Sequence, residues 1–410
     1  MTLLRSPARL PQATVIYPPH QGKRGGLNSF QYVIDFTAGT AIGGTQPYGS
    51  NTNDGRLFRD GTNSVACFLP SVSDGTGTMV SVGNAGLRRS TGGVWSSPSL
   101  TNRLLWNRDL TNAAWVISNT TDLTAAKAAT GADGTNNAAS RITCNVANGT
   151  IKQSITLASS QVVFSFMIKR SNGTGTVEFT VDNGTTWASI ESGLNGNYQL
   201  KFITQAAVTN PVVGIRMGTP GDQISVDFGE LISAANSVNL PKRDRVATTT
   251  ATVLNTQSRP TADIADAAPN TLITAARQPH AFYWQGRSER GNGAGLITGA
   301  TSMFCTVIAN NAVTYAEGSG SVQSADSAFR VGLDQVNKVA GYFTAGGVIK
   351  LCVNGGAVVS GTGATADATM DHFDLSTNGA GSRSIYGVTE VFKMGSGVTF
   401  TDAELIAMTT

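Results

Sequence analysis

At 410 residues the chain is long enough for two to four domains at about 100–200 residues each, every one able to bury its own core. Charged residues make up only 13% and the net charge is +3, with no pooled basic stripe; this excludes a nucleic-acid footprint and salt-bridged helical bundles. An apolar share of 40% excludes a disordered chain, and 47 glycines among abundant Thr, Val, Ser and Asn point to an all-β protein rich in turns.

Residues 1–34 carry Arg5, Arg9, Lys23 and Arg24 without one Asp or Glu, and Pro7, Pro11, Pro18 and Pro19 disfavour helix. An extended basic arm that docks on an acidic partner through these four cations is the expectation, with a loose terminus as the alternative. Residues 35–98 alternate short β patterns, such as Val65 to Leu69 and Met79 to Val82, with glycine turns, as a small β domain does.

The clearest strands fall in 99–238. Val162, Phe164, Phe166 and Ile168 share one face, while Val163, Ser165, Met167 and Lys169 share the other. Val177, Phe179 and Val181 repeat the pattern, and Asp182-Asn183-Gly184 predicts a tight turn with a return strand over 185–190. Val213, Ile215 and Met217, then Ile224, Val226 and Phe228, add two more strands, and this spacing predicts a sandwich. Residues 239–262 look like a linker, with Pro241, the basic cluster to Arg245, a threonine run and Pro260. A second sandwich is expected over 263–410, marked by the strands of Lys338 to Ser360. Near its end Thr401 and Glu404 match a capping box, which predicts a short helix from Asp402 with Leu405 and Met408 packed on the sheet.

Two stretches carry a family resemblance. Ser99 to Trp115, SLTNRLLWNRDLTNAAW, resembles the opening of a carbohydrate-binding-module-like sandwich found in tailed-phage virion proteins. Ile224 to Ile232 followed by Val246 to Thr250 has the form of its closing strand, with Glu230 as the closing acid. The C-terminal hairpin around Ile349 to Gly355 and the Thr401 to Leu405 turn resemble a laminin-G/concanavalin-like domain. The resemblance implies tandem antiparallel β-sandwiches of jelly-roll or lectin type, in a virion protein made in the host cytoplasm. It implies other virion proteins as partners, a homo-oligomer with a trimer favoured, and host surface polysaccharide as a ligand. With no fixed-period repeat or heptad shaft, a long slender fibre built by this chain alone is not expected.

Reacting groups are sparse. His20, His280 and His372 are isolated, no GxSxG elbow occurs, and no acidic triplet of glycosidase type lies on one strand face. Glu178 and Asp182 share a face, but Asp182 opens the Asn-Gly turn, which favours solvent exposure. Asp133 to Asn136 and Gly221 to Gln223 are oxygen-rich loops that read as turns before they read as calcium sites. Cys67, Cys144, Cys305 and Cys352 lack metal-ligand spacing and are expected as buried thiols. No apolar run is of membrane-span length, and Met1 to Leu10 lacks a signal-peptide core. No catalytic residue, metal or cofactor is therefore expected. For glycan binding the candidates are Trp187 with Asn183, and Tyr283 with Trp284; packing competes with presentation at each, because tryptophan is usually buried. Trp106 and Trp115 belong to the opening motif and are expected in the core. The combined expectation is a tail-fibre or receptor-binding appendage. The alternatives are a capsid decoration or head-fibre protein, and a polysaccharide depolymerase.

Overall fold

The computed structural model describes residues 100–233, 244–255, 276–299, 303–368, 385 and 387–410, with strand segments between 32 and 96, at 259–263 and at 372–375. Among them the chain is all-β, built from antiparallel sheets with one C-terminal helix of any length. Arg5, Arg9, Lys23 and Arg24 lie outside the described residues.

The first sandwich packs two five-stranded sheets. One orders Leu123–Ala129, Ala139–Cys144, Gln223–Ser233, Ser160–Asn172 and Gln199–Val208; the other orders Ala188–Ser189, Val177–Thr180, Val212–Met217, Gly149–Ser154 and Val116–Ile117. Period-two alternation sends Val162, Phe164, Phe166 and Ile168 inward against Val177, Phe179, Val213 and Ile215. The rings of Phe164 and Phe179 lie 4.9 Å apart, and Trp115 approaches Phe166 at 5.9 Å. Each such aromatic contributes on the order of 1.5–3 kcal/mol of burial.

Phe228 breaks the predicted alternation. Ser165 pairs with Glu230 and Met167 with Asp227, so the closing strand carries one extra residue there. That bulge holds Phe228 at a φ of 43° and turns its ring onto Met167, on the face away from Ile224 and Val226. Gly229 completes the device: a Cβ at that position would stand 2.4 Å from the Phe166 ring, so only glycine leaves room for it.

The opening and closing motifs meet here. Asn102 Nδ2 and Asn107 Nδ2 both donate to Gly229 O, at 2.9 and 2.8 Å, and Asn107 Nδ2 also reaches Val246 O at 2.9 Å. Asn107 Oδ1 accepts from Thr248 N at 2.8 Å, and Trp106 N donates to Thr249 O at 3.1 Å. These buried amides satisfy backbone groups that would otherwise be costly to desolvate. Beside them Arg245, 1% exposed, ion-pairs with Glu230 at 3.2 Å and donates to Ser165 Oγ at 2.9 Å. The second face of the Ser160–Asn172 strand is thus covered as well, so Val163, Ser165 and Met167 are buried.

The second sandwich pairs a nine-stranded and a seven-stranded sheet. In the larger, His280–Ser288 lies between Gly387–Ser396 and Gly332–Phe343, followed by Ile349–Val353 and Val359–Gly361. Phe282, Trp284, Val339 and Phe392 from it meet Leu296, Ile297, Cys305 and Tyr315 from the smaller sheet. The predicted helix spans Asp402–Thr409, its capping box is complete, and Leu405 and Met408 pack on the sheet's other face. Cys144, Cys305 and Cys352 are free and buried.

Two expected boundaries need correction. Strands Tyr32–Asp35, Thr40–Ile42, Arg89–Ser90 and Gly93–Ser96 belong to the nine-stranded sheet, and Phe58–Asp60 belongs to the seven-stranded one. Among the described residues, Val65–Pro70 and Gly77–Val82 form a separate small sheet, with Asp244–Arg245 as its third strand. The expected linker therefore pairs at Asp244–Arg245, Val253–Asn255 and Arg259–Asp263. Local composition points to an arm ending at 34 and a free linker. Composition carries no record of which distant edge a strand completes.

Candidate functional site

The outer face of the short-strand sheet in the first sandwich holds the site. Val177, Phe179, Ile215, Met217 and Ile151 point into the core, so Glu178, Arg216 and Lys152 between them point out. Glu178 sits opposite Arg216, and Lys152 opposite Gly214. The absence of a side chain at Gly214 matters: a Cβ there would stand 2.8 Å from Lys152 Cγ. Lys152 thereby crosses the neighbouring strand and donates from Nζ to Asn183 O at 2.9 Å and Asn183 Oδ1 at 3.3 Å.

Asn183 and Gly184 take left-handed φ angles of 64° and 87°, as the dipeptide predicts. The return strand is shorter than expected, Ala188–Ser189, because Asp182 organises a wider turn. Its carboxylate accepts from Thr180 Oγ1 at 2.7 Å and Thr186 N at 3.0 Å. Burial pushes that carboxyl upward, but the hydrogen bonds from Thr186 and Thr180 outweigh it and hold it below the usual range. Trp187 follows, and its indole rests on Gly184, where a Cβ would stand 2.9 Å from Cζ2. The Arg216 guanidinium carbon lies 4.7 Å from the indole centre and Lys152 Nζ lies 5.8 Å from it. Each such contact is worth about 0.5–1 kcal/mol at an exposed site. Arg216 Nε in turn donates to Glu178 Oε2 at 2.6 Å.

The result is a half-buried indole held by two cations, with the exposed Asn183 amide beside it and Val116, 61% exposed, opposite Lys152 on the sheet edge. Aromatic surface with neighbouring amide, ammonium and carboxylate groups is chemistry suited to the faces and hydroxyls of a sugar. Lys152 and Arg216 do not stand out in the sequence, and Glu178 does so only as a carboxylate on the same face as Asp182. Their outward phase was visible, but the register that gathers them around Trp187 was not.

Tyr283 and Trp284 do not form a platform. Tyr283 is 4% exposed, packs with Leu405 and Met408, and donates from its hydroxyl to Gln285 Oε1 at 2.7 Å. Trp284 is fully buried between the sheets and donates from Nε1 to Thr389 Oγ1 at 3.2 Å. Successive residues on a central strand face opposite ways, and here both faces are covered, so neither ring can stack on a ligand. Trp115 is core, its Nε1 donating to Leu105 O at 3.2 Å, and Trp106 packs against the same cluster.

The oxygen-rich loops are occupied by guanidinium groups. Arg108 bridges Asp227 at 2.7 Å and Asp133 at 2.8 Å, and Arg170 meets Asp222 at 3.2 Å. Burial acts to raise the Asp133 carboxyl, yet Arg108 and Thr135 hold it below its ordinary value; deeper burial leaves Asp227 raised despite the same arginine. Glu230 is taken by Arg245 and Glu178 by Arg216, while Asp182 is engaged by the hydroxyl and amide groups of its own turn.

A scan against protein-family models finds no match, and a search of curated proteins finds none either. Solved structures give matches to carbohydrate-binding modules. The CBM40 module of the Ruminococcus gnavus IT-sialidase, bound to α2,3-sialyllactose, is 15% identical, covers 37% of this chain and 93% of its own, and has a TM-score of 0.29. The BiXyn10A CBM1 module in its apo form is 12% identical over 33% and 90%, with a TM-score of 0.20. The CBM22-1–GH10 part of Clostridium thermocellum endo-1,4-β-D-xylanase 10B, complexed with xylohexaose, is 13% identical over 36% and 30%, with a TM-score of 0.23.

Proposed function

We propose that this protein is a non-catalytic surface component of a tailed-phage virion, a tail-fibre or receptor-binding appendage whose first sandwich engages host-surface glycan. The binding half rests on one observation: Trp187 keeps part of its indole in solvent while Arg216 and Lys152 fix its orientation. The virion reading rests on the resemblance of Ser99 to Trp115, and of Ile224 to Ile232 followed by Val246 to Thr250, to the phage module. The non-catalytic reading is supported by the pairing of Glu178, Glu230, Asp133 and Asp222 with arginines, which gives each of these four carboxylates a partner within the fold.

A single aromatic contact gives weak affinity. Several copies in a homo-oligomer, a trimer in this proposal, raise avidity by about 10²–10⁴. The test is a host-glycan array with the full chain and Trp187→Ala. Binding by the parent that the variant loses supports the proposal, and equal binding by both removes Trp187 from the site. Immunogold labelling of virions tests the placement, and capsid-wide labelling would transfer the protein to the decoration class. Shortening of host polysaccharide by the purified chain would overturn the non-catalytic reading.

A further inference from the structure

The second sandwich has its own cleft, remote in sequence from Trp187 and not dependent on the glycan-binding role given to that residue. We propose that this cleft binds an uncharged, hydroxyl-rich ligand of about the size of a disaccharide.

It lies where three neighbouring strands of the nine-stranded sheet end together, at the start of His280–Ser288 and the ends of Gly332–Phe343 and Gly387–Ser396. The register places them side by side, with His280 opposite Ser396 and Ala281 opposite Tyr342. The cavity measures about 450 Å³, within the range of about 300–1,000 Å³ typical of small-molecule sites. Gln278, Thr344, Ser396 and Thr399 bring amide and hydroxyl residues to its lining, and Pro279, Ala345 and Val398 bring apolar ones. No lining residue carries a charge. A charged ligand would leave its water shell here without a compensating partner, whereas a neutral polyol exchanges water for hydroxyl and amide contacts.

The frame is held in place before any ligand arrives. Gly397 N donates to Pro279 O at 2.7 Å, tying two of the three rims together. Thr344 closes the third: Gly347 N donates to its carbonyl at 2.9 Å and Val348 N to its Oγ1 at 3.2 Å. Thr344 Oγ1 accepts in that bond and keeps its own proton to donate. Beneath the cleft, the buried Phe343 ring meets the buried His280 ring edge-on at 5.0 Å, which fixes the two strand ends that carry the lining. Gly397 takes a φ of 66° and a Cβ there would meet nothing within 4 Å, so the mouth is open at that point.

The experiment is saturation-transfer NMR and titration calorimetry on the full chain with cellobiose, maltose and lactose, against cellobiouronic acid and the glucosamine disaccharide as charged controls of the same size. Neutral disaccharides should bind and the charged sugars should not, with less than about a twofold change between low and high salt. Ala345→Trp, at an exposed lining position, should weaken binding by about tenfold or more, equivalent to about 1.4 kcal/mol. Trp187→Ala should leave this binding unchanged. Thr399→Trp fills the cleft from the other rim and serves if the first variant fails to fold. Equal binding of charged sugars, no binding of any neutral disaccharide, or binding untouched by a folded tryptophan variant would each overturn the proposal.

Discussion

The two sandwiches are closed by different means. The first is fastened by buried polar groups: Asn102 and Asn107 clip the opening segment to the closing strand, and Arg245 with Glu230 seals the outer face of the longest strand. The second joins its sheets mainly through apolar contact, with Trp284, Phe282 and Tyr315 between the sheets and Leu405 and Met408 of the helix on the far face, and keeps its buried His280–Glu317 pair, 3.3 Å apart, inside that core. Aromatic placement differs in the same way. The first keeps Trp187 at its rim, whereas the second buries both Tyr283 and Trp284. A polar clasp depends on every partner being present, while an apolar core loses stability in proportion to the volume removed.

The sharpest way to break this contrast is Arg245→Ala. It leaves Glu230 buried without its cation and should cost about 3–5 kcal/mol, read as a lower denaturation midpoint for the first sandwich alone. Arg245→Met with Glu230→Gln should recover much of that loss. Trp284→Ala should destabilise the second sandwich by a similar amount, about 3–5 kcal/mol, through the cavity it leaves. Trp187→Ala removes only a half-buried ring and should change stability far less while abolishing glycan binding; calorimetry on both variants checks the pair. Thr401→Ala removes the helix cap and should cost about 1 kcal/mol, with faster amide exchange over Asp402–Thr409.

Acid should distinguish the two modules by sign. Asp109, Asp133 and Asp182 have depressed pKa values, so their contribution is present above about pH 4 and is lost as pH falls through the folded values. Asp227, raised chiefly by burial, offsets part of that loss. Glu317 in the second sandwich is also raised chiefly by burial, so its contribution is present below about pH 4 and fades as pH rises past its folded value. Hydrogen exchange followed from about pH 6 to pH 3 should therefore show the first sandwich losing protection before the second. The reverse order would remove the electrostatic part of the comparison.

Much of the first sandwich was legible because its signals are local. The alternation at Val162 to Ile168 and at Val177 to Val181, the Asn183-Gly184 turn and the Thr401 to Glu404 capping box each sit within a few residues. Phe228 was misplaced because a bulge shifts phase by one residue, and Gly229, the residue that allows it, looks like any other glycine in the sequence. Trp187 and Asn183 are together because they share a turn. Lys152 and Arg216 reach them only through strand register, set by pairing across tens of residues.

Composition and periodicity by themselves determined that this protein is all-β and that its cysteines are not spaced as metal ligands. The tertiary structure decided which aromatics are presented and which are buried, and that segments near 32–42 and 259–263 complete sheets of the second sandwich. The reason is physical. Side-chain alternation follows from the backbone of a single strand, whereas burial and edge pairing depend on what the rest of the chain lays against it.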